Sequence, residues 1–232
     1  MNRFILIAII AVASYIVSIV AVEAIDAYRV NYGNLPDIQG YRFIPINYDA
    51  EEKGYIFIQY VGYANMDELV NSSRVIIVGR VLDVKGSLVD AHTYYYPTPY
   101  TFYEIRVERV LKGILYARDN STMLVAHIGG MLDEVSRVNT SDGTLVQDGR
   151  YIMFLDAPAE ERWAPGLIFY YTSKNTRYVV SDDGSVYGES CPPSEPACVG
   201  KPYEQFVGEV TLSVIKGYLT GMFFCPYTHM CR

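Results

Sequence analysis

The sequence predicts a mainly β fold: a small Greek-key barrel with one short and one C-terminal helix, preceded by an N-terminal hydrophobic helix. Three observations carry this. Seven or eight short β-branched or apolar runs are separated by Gly, Asn and Asp turn signals. Helical spacing in the remainder of the chain occurs in only two places, and one apolar run of membrane length lies near the N-terminus.

Composition narrows the function classes. Half of the 232 residues are hydrophobic and 19% are charged, which excludes an intrinsically disordered chain. Lys and Arg total 19 against 26 Asp and Glu, for a net charge of −7, and no basic run occurs. Nucleic acid is therefore not the expected partner. A single long apolar segment also excludes a multi-span transporter.

Arg3 precedes the uncharged run Phe4 to Val22, FILIAIIAVASYIVSIVAV, whose 19 residues suffice to cross a hydrocarbon core. Val22-Glu23-Ala24 places small residues where a signal peptidase reads them, with cleavage after Ala24. The run is long for a signal peptide yet contains Ser14, Tyr15 and Ser18, so residues 1–24 read either as a signal peptide or as a membrane anchor. Arg3 before it, with Glu23 and Asp26 after it, directs the rest of the chain outward. The expected location is extracytoplasmic, with the soluble domain secreted or held to the membrane by residues 4–22.

Residues 25–54 lack periodicity and read as a linker or extended N-terminal arm, followed by a β domain over 55–222 and a cysteine-containing tail over 223–232. Tyr55 to Val61 is strand-like. Asn65-Met66-Asp67-Glu68 has the spacing of a capping box, which starts a short helix with Leu69 and Val70 on its apolar face. Arg74 to Val84 is a β-branched strand interrupted by Gly79, where a bulge or bend is expected. Tyr103 to Leu111 alternates apolar and charged residues as a half-buried antiparallel strand does, and ends in a Lys112-Gly113 turn. Met123 to His127 forms a strand ending at Gly129-Gly130, and Asp148-Gly149 turns into Tyr151 to Leu155. Leu167 to Thr172 and Tyr178 to Val180 continue the sheet, and Asp182-Asp183-Gly184 closes a hairpin into Ser185-Val186-Tyr187. Val207, Val210, Val214, Ile215, Tyr218 and Leu219 recur at helical spacing after Pro202, so a final helix lies against the barrel.

This succession resembles the OB-type barrel of netrin-like domains and of tissue inhibitors of metalloproteinases. The matching stretches are SSRVIIVGRVLDV at 72–84, YEIRVERVLKG at 103–113, Gly129-Gly130, and DGRYIMFL at 148–155, within roughly residues 55–220. The resemblance implies an OB-like fold; such barrels host many unrelated functions. It does not bring the inhibitors' zinc-chelating N-terminal cysteine, because no cysteine precedes Cys191.

Three sequons, at Asn71, Asn120 and Asn139, are candidate glycosylation sites. Cys191, Cys198, Cys225 and Cys231 make an even count, which outside the membrane favours two disulfides with three pairings open. Cys225, His229 and Cys231 together could instead ligate a metal, but the expected compartment favours disulfides. The three histidines, His92, His127 and His229, include no pair at metal-binding helical spacing, and HExxH, GxSxG and Walker-type motifs are absent. Of the 22 tyrosines, Tyr94, Tyr95, Tyr96 and Tyr100 sit in a proline-stiffened loop that suits a partner surface, or else folds back over one end of the barrel.

The expected function is that of a non-enzymatic cell-surface or secreted protein, with no cofactor, whose barrel binds a protein partner or packs in an envelope assembly. Its alternative is a protease inhibitor or regulator of the netrin-like class. A metal-dependent exported enzyme ranks below both.

Overall fold

The computed structural model describes residues 41–56, 63, 65–91, 97–113, 117–141, 143–188 and 200–224. Within them the fold is mainly β. The strands are β1 (Glu51–Ile56), β2 (Val75–Asp90), β3 (Thr98–Lys112), β4 (Thr122–Ile128), β5 (Gly130–Met131), β6 (Ser136–Thr140), β7 (Arg150–Leu155), β8 (Ala159–Glu160), β9 (Ile168–Tyr171), β10 (Arg177–Val180), β11 (Ser185–Gly188) and β12 (Lys201–Pro202). Two helices accompany them, α1 (Met66–Ser72) and α2 (Tyr203–Phe224). The N-terminal apolar segment lies outside the described residues. Among those described, no helix is long and apolar enough to cross a membrane.

Two mixed sheets form. The larger runs β12-β11-β10-β7-β2-β3-β4-β9-β8 and the smaller runs β1-β6-β5, and neither closes on itself. Strands β2, β3 and β4 are antiparallel neighbours, and β7 returns to lie beside β2. The order β7-β2-β3-β4 is that of a Greek key. Residues 41–54, read from the sequence as linker or arm, run along the sheets: Ile44 bridges to Ser87, and β1 begins at Glu51.

Strand β2 is buried on both faces. Val75 and Ile77 join a cluster with Tyr103, Ile105, Val125, Met153 and Tyr170, contributed by five strands of one sheet, so the sheet curls around this core. Ile76 and Val78 face the other way, toward Leu69 and Val70 of α1 and Phe206, Val207 and Val210 of α2. A third, aromatic cluster centres on Phe102, Phe169 and Leu167. Double burial explains the continuous apolar runs VIIV and YIMFL where a one-sided sheet would alternate.

Gly79 does what the sequence suggested. The β2–β3 register shifts at Val78/Gly79, and a Cβ at this position would sit 2.6 Å from Ile105 Cγ2 and 3.2 Å from the Arg106 carbonyl. The bulge lets two crowded strands approach and coil.

Helix α1 has seven residues, too few to persist alone, and is held at both ends. The Asn65 side chain accepts from the Glu68 amide at 3.0 Å. At its C-terminus Lys112 Nζ donates to the Val70 carbonyl at 2.7 Å and to that of Ser73 at 2.6 Å. The Lys-Gly turn thus places a cation on the helix end. Asp67 accepts from Ser213 Oγ at 2.6 Å and pairs with Lys216, tying α1 to α2.

The final helix starts after Pro202 as expected, but its buried face differs. Phe206, Val207, Val210 and Val214 pack inward, whereas Ile215 and Leu219 are 50% and 49% exposed. At about 100° per residue, positions 215 and 219 have rotated away from the stripe through 207, 210 and 214. Strands β5, β6, β8 and β12 had no signal in the sequence. Three of them are two-residue pairings, and SRVNT of β6 lacks an alternating pattern.

Replacing Gly79 by Ala forces the Cβ into Ile105 and is expected to cost about 1–3 kcal/mol in urea unfolding. The Lys216 and then the Ser213 hydrogen bond hold the Asp67 carboxyl below its ordinary value of 3.8. A carboxyl lowered by folding adds stability that is present above its unfolded pKa and is lost as pH falls through the folded one. The variant Asp67→Asn is therefore expected to flatten the dependence of the urea midpoint on pH between about pH 5 and pH 2, with no effect on its slope near neutrality.

Candidate functional site

The smaller sheet is fastened to the larger by a chain of buried hydroxyls. The Met131 amide donates to Ser87 Oγ at 2.9 Å, Ser87 Oγ lies 3.3 Å from Thr101 Oγ1, and Thr101 Oγ1 donates to the Gly129 carbonyl at 2.8 Å. Since Thr101 spends its proton on that carbonyl, Ser87 donates to Thr101. Gly130 has φ +131°, and a Cβ there would stand 2.2 Å from Thr101 Oγ1 and 2.3 Å from Ser87 Oγ. The Gly129-Gly130 pair exists because this seam leaves no room for a side chain.

Beside the seam lies a cavity of about 290 Å³. Its floor is Thr101, Tyr103 and His127 from β3 and β4; one wall is Arg137 to Thr140 of β6, and Tyr48 and Tyr55 stand at its rim. Tyr48 and Tyr55 are 73% and 57% exposed.

Tyr103 and His127 are both buried, with the Tyr103 hydroxyl 2.9 Å from His127 Nε2. His127 Nδ1 is 2.7 Å from the Ile128 carbonyl, which can only accept. Nδ1 therefore carries the ring proton, and Nε2 accepts from the phenol. Burial pushes the Tyr103 hydroxyl well above its ordinary range, against a smaller opposing pull from Arg177, so it stays a donor. Both ring nitrogens of His127 are committed to the fold.

Arg137 projects from β6 beside this floor. Its Nε is buried without a hydrogen-bond partner, and it forms no ion pair among the described residues. Its cross-strand neighbour Glu52 accepts instead from Asn139 Nδ2 at 2.6 Å. Among the described residues no group of three or more His, Cys, Asp or Glu is placed to hold a metal ion.

The residues singled out from the sequence fall in different places. Tyr94, Tyr95 and Tyr96, all four cysteines, His92 and His229 lie outside the described residues. Tyr100 is in β3, stacked on Trp163 with centroids 5.2 Å apart and 5.7 Å from Tyr171. It packs in the aromatic cluster around Phe102, the folded-back arrangement, and burial raises its hydroxyl pKa, with Asp90 and Glu161 adding to the effect. Asn120 is exposed in a turn at φ +62°. Asn71 is exposed on α1 with its carboxamide beside Gly217 of α2, and Asn139 lines the cavity. Sequence reasoning missed Arg137, Thr101 and the pairing of Tyr103 with His127. The Gly129-Gly130 pair was the one local sign of a crowded junction.

No protein-family profile matches the chain, and no curated protein matches it.

Ser87→Ala removes the acceptor of the buried Met131 amide and one link of the seam. The expected loss is about 1–3 kcal/mol of unfolding free energy. Hydrogen exchange is expected to rise at β5 and β6, with β2 and β7 keeping their protection.

Proposed function

We propose that this is an exported, non-enzymatic cell-surface or secreted protein whose β domain binds a protein partner across the cavity face. The observation that carries this reading is the rim itself, where Tyr48 and Tyr55 stand exposed around Arg137. Tyrosine and arginine are enriched at protein interfaces because each offers large contact area together with hydrogen-bonding capacity. The apolar segment at 4–22 and the three sequons support the export half of the reading. We read the curled Greek-key sheet as the wall of an OB-like barrel with two helices packed on its outside, in keeping with the netrin-like resemblance. Tyr94 to Tyr96, which fall between β2 and β3 in the sequence, are candidates for a second contact.

Affinity capture of the tagged full chain from membrane and medium fractions tests the proposal. A partner recovered at fixed stoichiometry, and lost from the double variant Tyr48→Ala/Tyr55→Ala, is the expected result. Hydrolase or oxidoreductase activity in the purified chain, or undiminished capture by that variant, overturns it.

A further inference from the structure

We propose that the cavity is a carboxylate-binding site in which Arg137 holds the acid group and the Tyr103–His127 floor supports the body attached to it. This rests on the reading of the cavity face as a binding surface, and it names the chemistry recognised there.

A guanidinium drawn partly out of water needs an anion or a full set of acceptors. Three other cations beside the cores have them: Arg80 and Arg150 share Glu108, and Lys85 bonds Asp83 and Glu104. Among the described residues Arg137 has neither, although Glu52 is its cross-strand neighbour. Asn139 takes the Glu52 carboxylate instead, which leaves the guanidinium facing the cavity it lines.

The type of anion follows from the surroundings. His127 has both nitrogens engaged within the fold, so it does not serve as a second cation. Among the residues lining the cavity Arg137 is the one Lys or Arg, and one guanidinium matches one negative charge. A dianion would also meet Glu52 beside Asn139 and a chain of net charge −7. The fork of Arg suits the two oxygens of a carboxylate.

The body follows from size and lining. About 290 Å³ lies at the lower end of ligand cavities and accommodates one side chain or a small organic acid. Val84, Met131, Leu145 and the Tyr103 ring make the lining largely apolar, with the Tyr48 and Tyr55 rings at the mouth. A monocarboxylate on an apolar or aromatic body fits, whether it is a free acid or the C-terminal residue of a partner chain.

The test is calorimetric titration of the full chain, purified in detergent, with 3-phenylpropionate and its amide. A tetrapeptide ending in Phe, as free acid and as amide, forms the second arm. Saturable binding of one carboxylate per chain is expected, with the amides weaker by about 10–100-fold. Arg137→Gln is expected to remove that difference, and Arg137→Lys to restore part of it. Tighter binding of the peptide acid assigns a partner's C-terminus, and tighter binding of 3-phenylpropionate assigns a free small acid.

Equal binding of acid and amide by the unaltered chain overturns the proposal, and that comparison requires no variant to fold. Undiminished acid binding by Arg137→Gln, or no saturable binding of any carboxylate, overturns it as well. If capture of a protein partner still depends on Tyr48 and Tyr55, only the carboxylate inference falls and the binding surface stands.

Discussion

Val75, Ile76, Ile77 and Val78 are all fully buried, alternately on opposite faces of one strand, and this double burial constrains what every neighbouring element can be. Each face of β2 needs its own apolar cover. On one side the sheet supplies it by curling, so that β3, β4, β7 and β9 bring Ile105, Val125, Met153 and Tyr170 to one core. On the other side α1 and α2 supply it. The seven residues of α1 do not make a stable helix on their own, so its caps are structural necessities. Lys112 at the end of β3 reaches the last carbonyls of the helix that leads into β2, joining the far end of the β2–β3 hairpin to its beginning.

The smaller sheet is attached by different chemistry. Few buried apolar side chains cross between β5 or β6 and the main sheet, and the junction instead runs through Ser87 and Thr101, which are 0% and 2% exposed. A buried hydroxyl chain is directional: each oxygen accepts from one side and donates to the other, so the loss of one member strands the next. Such a junction resists sliding more than a greasy contact does. It holds β6 at a fixed distance from β3 and β4, and that distance is the width of the cavity. Hydroxyl chain, glycine pair and cavity are thus three views of one arrangement.

How much of this was legible in the sequence depends on how local each cause is. The cap at Asn65, the bulge at Gly79 and the alternating strand from Tyr103 each rest on a few adjacent residues, and each is found where the pattern put it. The β10–β11 hairpin is similar, with Gly184 at φ +78° in its turn. Strand β6 was illegible because SRVNT is ordered by its partners β1 and β5 and by no preference of its own. The outward rotation of Ile215 and Leu219 was missed for a related reason. Helical spacing alone does not say which of two apolar stripes meets the sheet, and Phe206, at the start of the helix, decided it.

The cavity shows the same limit more sharply. The sequence holds 19 Lys and Arg residues, and nothing in the neighbours of Arg137 sets it apart from Arg80 or Arg150. What distinguishes them is the carboxylate that each meets. Glu108 reaches Arg80 and Arg150 from a third strand, while Glu52, directly across from Arg137, is drawn to Asn139. Pairing is settled by cross-strand register and by competition between neighbouring donors, which a one-dimensional reading does not contain. Asn139 drew attention in the sequence as a sequon. In the fold its Nδ2, the atom a glycan would occupy, is engaged otherwise: it holds Glu52, and among the described residues the Arg137 guanidinium is left without a carboxylate beside a cavity with an apolar lining.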